Sequence, residues 1–145
     1  MHFTKIIRFF FALCLASNLF GASIEFAKEM GYETNYNEAL QKAKTTSKPI
    51  ILIVSSETCP WCRKLENQTL SKEYIDKIIQ DNFIPIAQTK EIDNLPPKFY
   101  PKYVPTVYFI NPITNEAYEN SVGYKAHGKF KDTLLNAITQ FKELK

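Results

Sequence analysis

The chain is predicted to form an α/β domain, with a mixed central sheet of about four strands lying between two layers of helices. Three observations predict it. A continuous apolar and β-branched run, Ile50 to Ser55, reads as a strand buried on both faces. Apolar residues recur at helical spacing before and after that run, so strand and helix alternate. Toward the C-terminus, two strand-like runs flank the turn Asn111-Pro112-Ile113-Thr114-Asn115, and a long amphipathic segment follows them. A strand–helix–strand opening implies a parallel pair with a right-handed crossover, and the later hairpin implies an antiparallel edge.

In chain order, Ile24 to Tyr36 is expected to be an irregular lead-in with a short strand near Ile24 to Phe26. Tyr36 to Thr46 is a helix that Asn35 or Asn37 can cap, with Ala39, Leu40 and Ala43 on one face, and Ser47-Lys48-Pro49 ends it. After the strand at 50–55, Pro60 opens a helix to about Leu70, because proline in the first turn gives up no backbone bond. Ser71 to Asp81 is a second helical stretch with Tyr74, Ile75, Ile78 and Ile79 as its buried stripe. Phe83 to Ala87 is a strand, Gln88 to Asn94 a polar loop, and Leu95 to Lys102 a short helix. Val104 to Ile110 and Ala117 to Val122 form the hairpin, which Gly123 terminates. His127 to Leu144 is the last helix, with Phe130, Leu134, Leu135, Ile138 and Phe141 turned inward.

A length of 145 residues suits one domain, and a hydrophobic content of 45% is ample for a core. Residues 1–22 read as a signal peptide: Lys5 and Arg8 form a basic region, Phe9 to Ala16 is apolar, and Gly21-Ala22-Ser23 supplies small residues for cleavage. That apolar run is well short of the ~20 residues that span a bilayer, so no stable membrane association is expected. The formal charge of +3 includes Lys5 and Arg8, so residues 23–145, the single domain expected after cleavage, are near neutral. Such a balance argues against nucleic acid as a partner.

The chemistry lies in Cys59-Pro60-Trp61-Cys62, directly between the buried strand and the following helix. At a helix N-terminus, unpaired backbone N–H groups and the helix dipole favour negative charge, and the thiolate is the reactive form of cysteine. The spacing lets Cys62 reach back to Cys59, so the pair can open and close a disulfide. Of the three cysteines, Cys14 would leave with the signal. One bridge across two residues closes almost no loop and stabilises little, so the pair is read as kept for reactivity.

With this element order, the Cys pair, the tripeptide Val104-Pro105-Thr106 and Gly123, the chain resembles the thioredoxin-like superfamily from about Asn37 to Leu144. Lys48-Pro49-Ile50 before the Cys strand and Arg63-Lys64-Leu65-Glu66 after it look like exported bacterial members with a CPWC motif. The resemblance implies a three-layer α/β/α sandwich and a thiol:disulfide oxidoreductase with Cys59 as nucleophile and Cys62 as resolving thiol. It implies a cis Pro105 facing the Cys pair, and substrate contacts at Val104, Pro105 and Thr106. Trp61 offers an aromatic surface to a partner chain or simply packs over the helix. The implied partners are protein thiols and disulfides and a redox partner protein. The implied setting is the periplasm, as a monomer, with no cofactor beyond the intrachain disulfide and no metal.

The chain departs from the cytosolic thioredoxins in several places. Ile53 stands where they bury an acid on the Cys strand, Thr58 where they carry Trp, and Pro60-Trp61 where they have Gly-Pro. No buried Lys is evident around Ile86 to Gln88. Water, or Glu57 turned inward, would have to accept the proton of Cys62. Three other readings remain open: a non-catalytic binding or chaperone module, a metal-binding CxxC protein with His127 as the only further His or Cys after the signal, and a structural bridge that merely rigidifies the loop.

Overall fold

The computed structural model describes residues 22–145. Four strands form one sheet in the order β2-β1-β3-β4, where β1 is Ile50–Ser55, β2 Ile84–Thr89, β3 Thr106–Asn111 and β4 Glu116–Val122. β1 pairs parallel with β2 and antiparallel with β3, and β3 pairs antiparallel with β4. All six residues of β1 are buried, as its unbroken apolar run requires of a central strand covered on both faces.

The helices are α1 (Ala22–Met30), α2 (Tyr36–Thr46), α3 (Pro60–Leu65), α4 (Glu73–Asn82) and α5 (His127–Glu143). One face of the sheet presents Ile51, Ile53, Ala87, Val107 and Phe109 to a core shared with Phe26, Leu65, Leu70, Ile75, Ile79, Phe130 and Leu134. The other presents Ile50, Leu52, Val54, Ile84, Ile86 and Ile110 to Tyr36, Ala39, Ala43 and Phe99. This alternation along each strand sets α1, α3, α4 and α5 on one side and α2 on the other, giving three layers of α/β/α. Among the described residues no helix is long and apolar enough to cross a membrane.

Asn35 caps α2 through its side chain, which accepts from the amides of Asn37 and Glu38 at 2.9 and 3.2 Å. Several expectations need correction. The lead-in expected to hold a strand near Ile24 to Phe26 is instead the helix α1, which buries Phe26 and Ala27 against the sheet and stops at Gly31 with φ 68°. Glycine reaches this left-handed geometry without the Cβ clash that any other residue meets. Strand β2 continues through Gln88 and Thr89, expected in a loop, because its parallel register pairs them with Val54 and Ser55. The helix expected over Leu95 to Lys102 is one 3₁₀ turn at Pro97–Phe99, and β3 starts at Thr106 rather than Val104. Tyr74 and Leu135, both expected inside, are exposed, and Ala137 is buried on α5. The segment assigned to export lies outside the described residues except for Ala22, the first residue of α1.

Candidate active site at the N-terminus of α3

β1 delivers the chain at Ser55 to a short loop, and Glu91, just past the end of the adjacent β2, fastens that loop. The Ser56 hydroxyl donates to Glu91 Oε1 at 2.7 Å and the Glu57 amide to Oε2 at 3.3 Å. Burial, the largest single influence, pushes the Glu91 carboxyl up. The hydrogen bonds from Ser56 and from the Glu91 and Glu57 amides, with the Lys90 charge, outweigh it and hold the group below its ordinary value.

Cys59 is the N-cap of α3, with φ −116° and ψ 97°, and Pro60 occupies the first turn. Its sulfur accepts from the Cys62 amide at 3.1 Å, and the same amide reaches the Cys59 carbonyl at 3.1 Å, in the first turn of the helix. Cys59 and Cys62 form a disulfide with their Cα atoms 5.2 Å apart. The two sulfurs have unequal access to solvent, since Cys59 is 9% exposed and Cys62 0%.

The Val104–Pro105 peptide bond is cis. Thr106 pairs with Val54, which sets Pro105 beside the end of β1, where the chain leaves for Cys59. Pro105 also accepts a 2.7 Å hydrogen bond from the Gly123 amide. Gly123 has φ 79° and open space at its Cβ direction, so backbone conformation rather than crowding calls for glycine there.

Trp61, Val104, Pro105, Gly123 and Tyr124 line a groove of about 420 Å³. Trp61 is 56% exposed, and its ring lies 5.9 Å from that of Tyr124. The structure therefore brings together Trp61, Val104 and Pro105 of the residues that the sequence singles out for substrate contact. It does not add Thr106, whose side chain is buried and whose hydroxyl donates to the Tyr103 carbonyl at 2.7 Å. Nothing in the sequence marks Tyr124. Only the approach of the β4–α5 connection to Trp61 makes it part of the groove.

A second residue without a sequence signal of its own is Glu66. Beyond Leu65 the helix widens into a π turn, Glu66–Leu70, which buries Glu66, Thr69 and Leu70. Glu66 is 4% exposed, lies 3.2 Å through Oε2 from Arg63 Nη1, and accepts from the Ser55 hydroxyl at 3.4 Å. It follows Cys62 by four residues, the spacing that stacks side chains on one helical face. Glu57, which reads from the sequence as an exposed loop acid unless it turns inward, is exposed, with its amide bound to Glu91. His127 meets the Tyr74 hydroxyl through Nδ1 at 2.6 Å, at the start of α5.

The family model described as thioredoxin-like matches residues 32–112, more than half of the chain. Mouse spermatogenesis-associated protein 20 is 39% identical over 54 residues, which are 37% of this chain and 7% of that protein. Anterior gradient protein 2 of Xenopus laevis is 28% identical over 129 residues, covering 86% of this chain and 65% of its own. The chain thus spans a small part of the first relative and under two thirds of the second. Among solved structures, a Thermus thermophilus thioredoxin superposes with a TM-score of 0.62 at 20% identity, covering 71% of this chain and 83% of that one. DsbH oxidoreductase gives 0.62 at 17% identity, covering 74% and 83%. These two share the fold. Taken with the match over residues 32–112, the strand order and the Cys pair at the head of α3, the chain belongs to the thioredoxin-like family.

Proposed function

We propose that the protein is a thiol:disulfide oxidoreductase that exchanges disulfides with protein substrates through Cys59 and Cys62. The observation that carries this reading is a disulfide at a helix N-terminus, with Cys62 fully buried and Cys59 retaining 9% exposure. The name of DsbH, an oxidoreductase of the same fold, supports it.

In the reducing direction, the Cys59 thiolate attacks one sulfur of a substrate disulfide. That S–S bond breaks, a mixed disulfide forms, and the other substrate sulfur leaves as a thiolate. Cys62 then gives up its proton and attacks the Cys59 sulfur. The intrachain disulfide closes, the second substrate thiolate departs, and two electrons have passed from the protein to the substrate. A substrate dithiol runs the same steps backwards. The helix terminus and the Cys62 amide favour negative charge on the Cys59 sulfur, the reactive thiolate form. Glu66, one turn beyond Cys62 and shielded from water, is the group that takes the Cys62 proton. No cofactor enters these steps.

Export to a bacterial periplasm, action as a monomer and exchange with a separate redox protein complete the proposal, which takes the basic and apolar N-terminal segment as its address. The test is insulin reduction together with oxidation of a reduced unfolded protein. Cys59→Ser is expected to abolish both, and Cys62→Ser to accumulate a mixed disulfide on Cys59 that mass spectrometry identifies. Activity that survives Cys59→Ser would transfer the reading to a non-catalytic binding module.

A further inference from the structure

Lys64 holds an unusual position beside the groove. Its ammonium lies 4.9 Å from the centroid of Trp61 and 4.7 Å from that of Tyr124, so one cation sits against both rings that wall the groove. Those contacts restrain a side chain that would otherwise sample many rotamers, so a bound partner group loses less freedom in meeting it. The rings leave the charge itself unneutralised. Lys42, Lys77, Lys90 and Lys98 are salt-bridged, and none of them lines the groove. Among the described residues Lys64 pairs with no carboxylate, and neither do Lys102, two residues before Val104, or Lys125, next to Tyr124. Lys102 rests on Tyr103 at 5.3 Å, and Lys125 donates to the Thr133 hydroxyl at 3.2 Å. An apolar groove thus carries an uncompensated positive rim, although the chain as a whole is only weakly basic.

We infer that Lys64 is a specificity-determining residue, selecting substrate segments in which an acidic residue stands beside the apolar residue that flanks the reacting cysteine. This rests on the disulfide exchange proposed above and narrows its substrate class. The apolar side chain enters between Trp61, Pro105 and Tyr124. The neighbouring carboxylate pairs with the Lys64 ammonium at the rim, with Lys102 and Lys125 adding a longer-range pull on the same charge. A basic neighbour would bring like charges together at the same spot and slow the approach.

The probes are three short peptide disulfides, identical except that the residue beside a leucine flanking the cysteine is Asp, Asn or Lys, with oxidised glutathione as a fourth substrate. Reduced full-length protein is mixed with each, and the second-order rate constant is read from Trp61, the only tryptophan in the chain. The Asp peptide is expected to react about fivefold faster than the Asn peptide at low salt, the factor that a partly exposed ion pair supplies, and the Lys peptide slower still. In 1 M salt the three should converge, because the screening length falls to about 3 Å. Lys64→Glu should invert the order and Lys64→Met should flatten it, the methionine still covering the rings. An unchanged order in both variants, or three equal rates in the parent protein, would overturn the assignment of Lys64 while leaving exchange at Cys59 intact. Failure of the reduced parent to react with any peptide or with glutathione would overturn the exchange reading and this one with it.

Discussion

Glu66→Gln separates the buried acid's role in structure from its role in proton transfer. Glutamine keeps the volume of the side chain and an oxygen for the Ser55 hydroxyl at the present 3.4 Å, so the charge facing Arg63 at 3.2 Å is the main loss. The Arg63 side chain is 27% exposed overall, but its Nε and Nη1 are buried, so water does not reach the atom that faces Glu66. The expected destabilisation is about 3 kcal/mol, the low end for a buried pair broken from one side. The kinetic effect is read separately. A positioned base contributes about 10²–10⁴, and the lower figure applies to a thiol, which ionises more readily than most catalytic acids, so Cys62 attack should slow about 100-fold at pH 7. The pH dependence gives the sign. With Glu66 taking the Cys62 proton, the parent's rate is expected to vary little through neutral pH. In the variant, Cys62 must release its proton to water, so the fraction of attacking thiolate rises with pH. The variant's rate should therefore climb about tenfold per pH unit and approach the parent's in alkali. Rapid mixing with excess glutathione disulfide, followed by Trp61 fluorescence, resolves formation of the mixed disulfide from its resolution. Superimposable pH profiles for the second phase would remove Glu66 from the proton's path.

Glu91→Gln probes the clamp on the loop before Cys59. Because Glu91 ionises below its ordinary value in the folded protein, its contribution is present above the unfolded value and is lost as pH falls through the folded one. The parent should therefore be more stable than the variant at pH 7, by less than about 1 kcal/mol for so exposed a group, and the gap should close in acid. Thermal melts from pH 7 to pH 2 check this, and a constant gap would contradict it. Phe109→Ala empties the centre of the core shared by β3, α4 and α5. The residue is fully buried and lies 5.6 Å from the Phe83 ring, so a loss of about 3–5 kcal/mol is expected in urea unfolding. A loss below about 1 kcal/mol would mean that the site collapses freely or that Phe109 is not central.

Patterns confined to single segments are legible in the residues themselves. Ile50 to Ser55 has the composition of a doubly covered strand, and the structure buries all six residues. Asn35 stands where a cap is needed and fills that role. The helix α1 departs from expectation although its signals are present: Phe26, Ala27 and Met30 fall on one face, and Gly31 supplies the stop. The short length of that pattern makes strand and helix hard to separate by period, and packing against the sheet settles it. Tyr74 and Leu135 have the hydrophobicity and the spacing of core residues, but each stays exposed at the margin of its helix's apolar stripe, Tyr74 with its hydroxyl on His127 of α5.

The Cys pair and its place at a strand-to-helix junction follow from residue order alone, because a spacing of three and a helix start are local matters. The burial of Glu66 does not, since it depends on a π turn and on Ser55 arriving from β1. Nor does the groove, whose walls come from α3, the turn into β3 and the β4–α5 connection. Helix caps and strand periods are set by neighbours along the chain. The walls of the partner-facing groove come from residues far apart in sequence, and only the folded sheet brings those within reach.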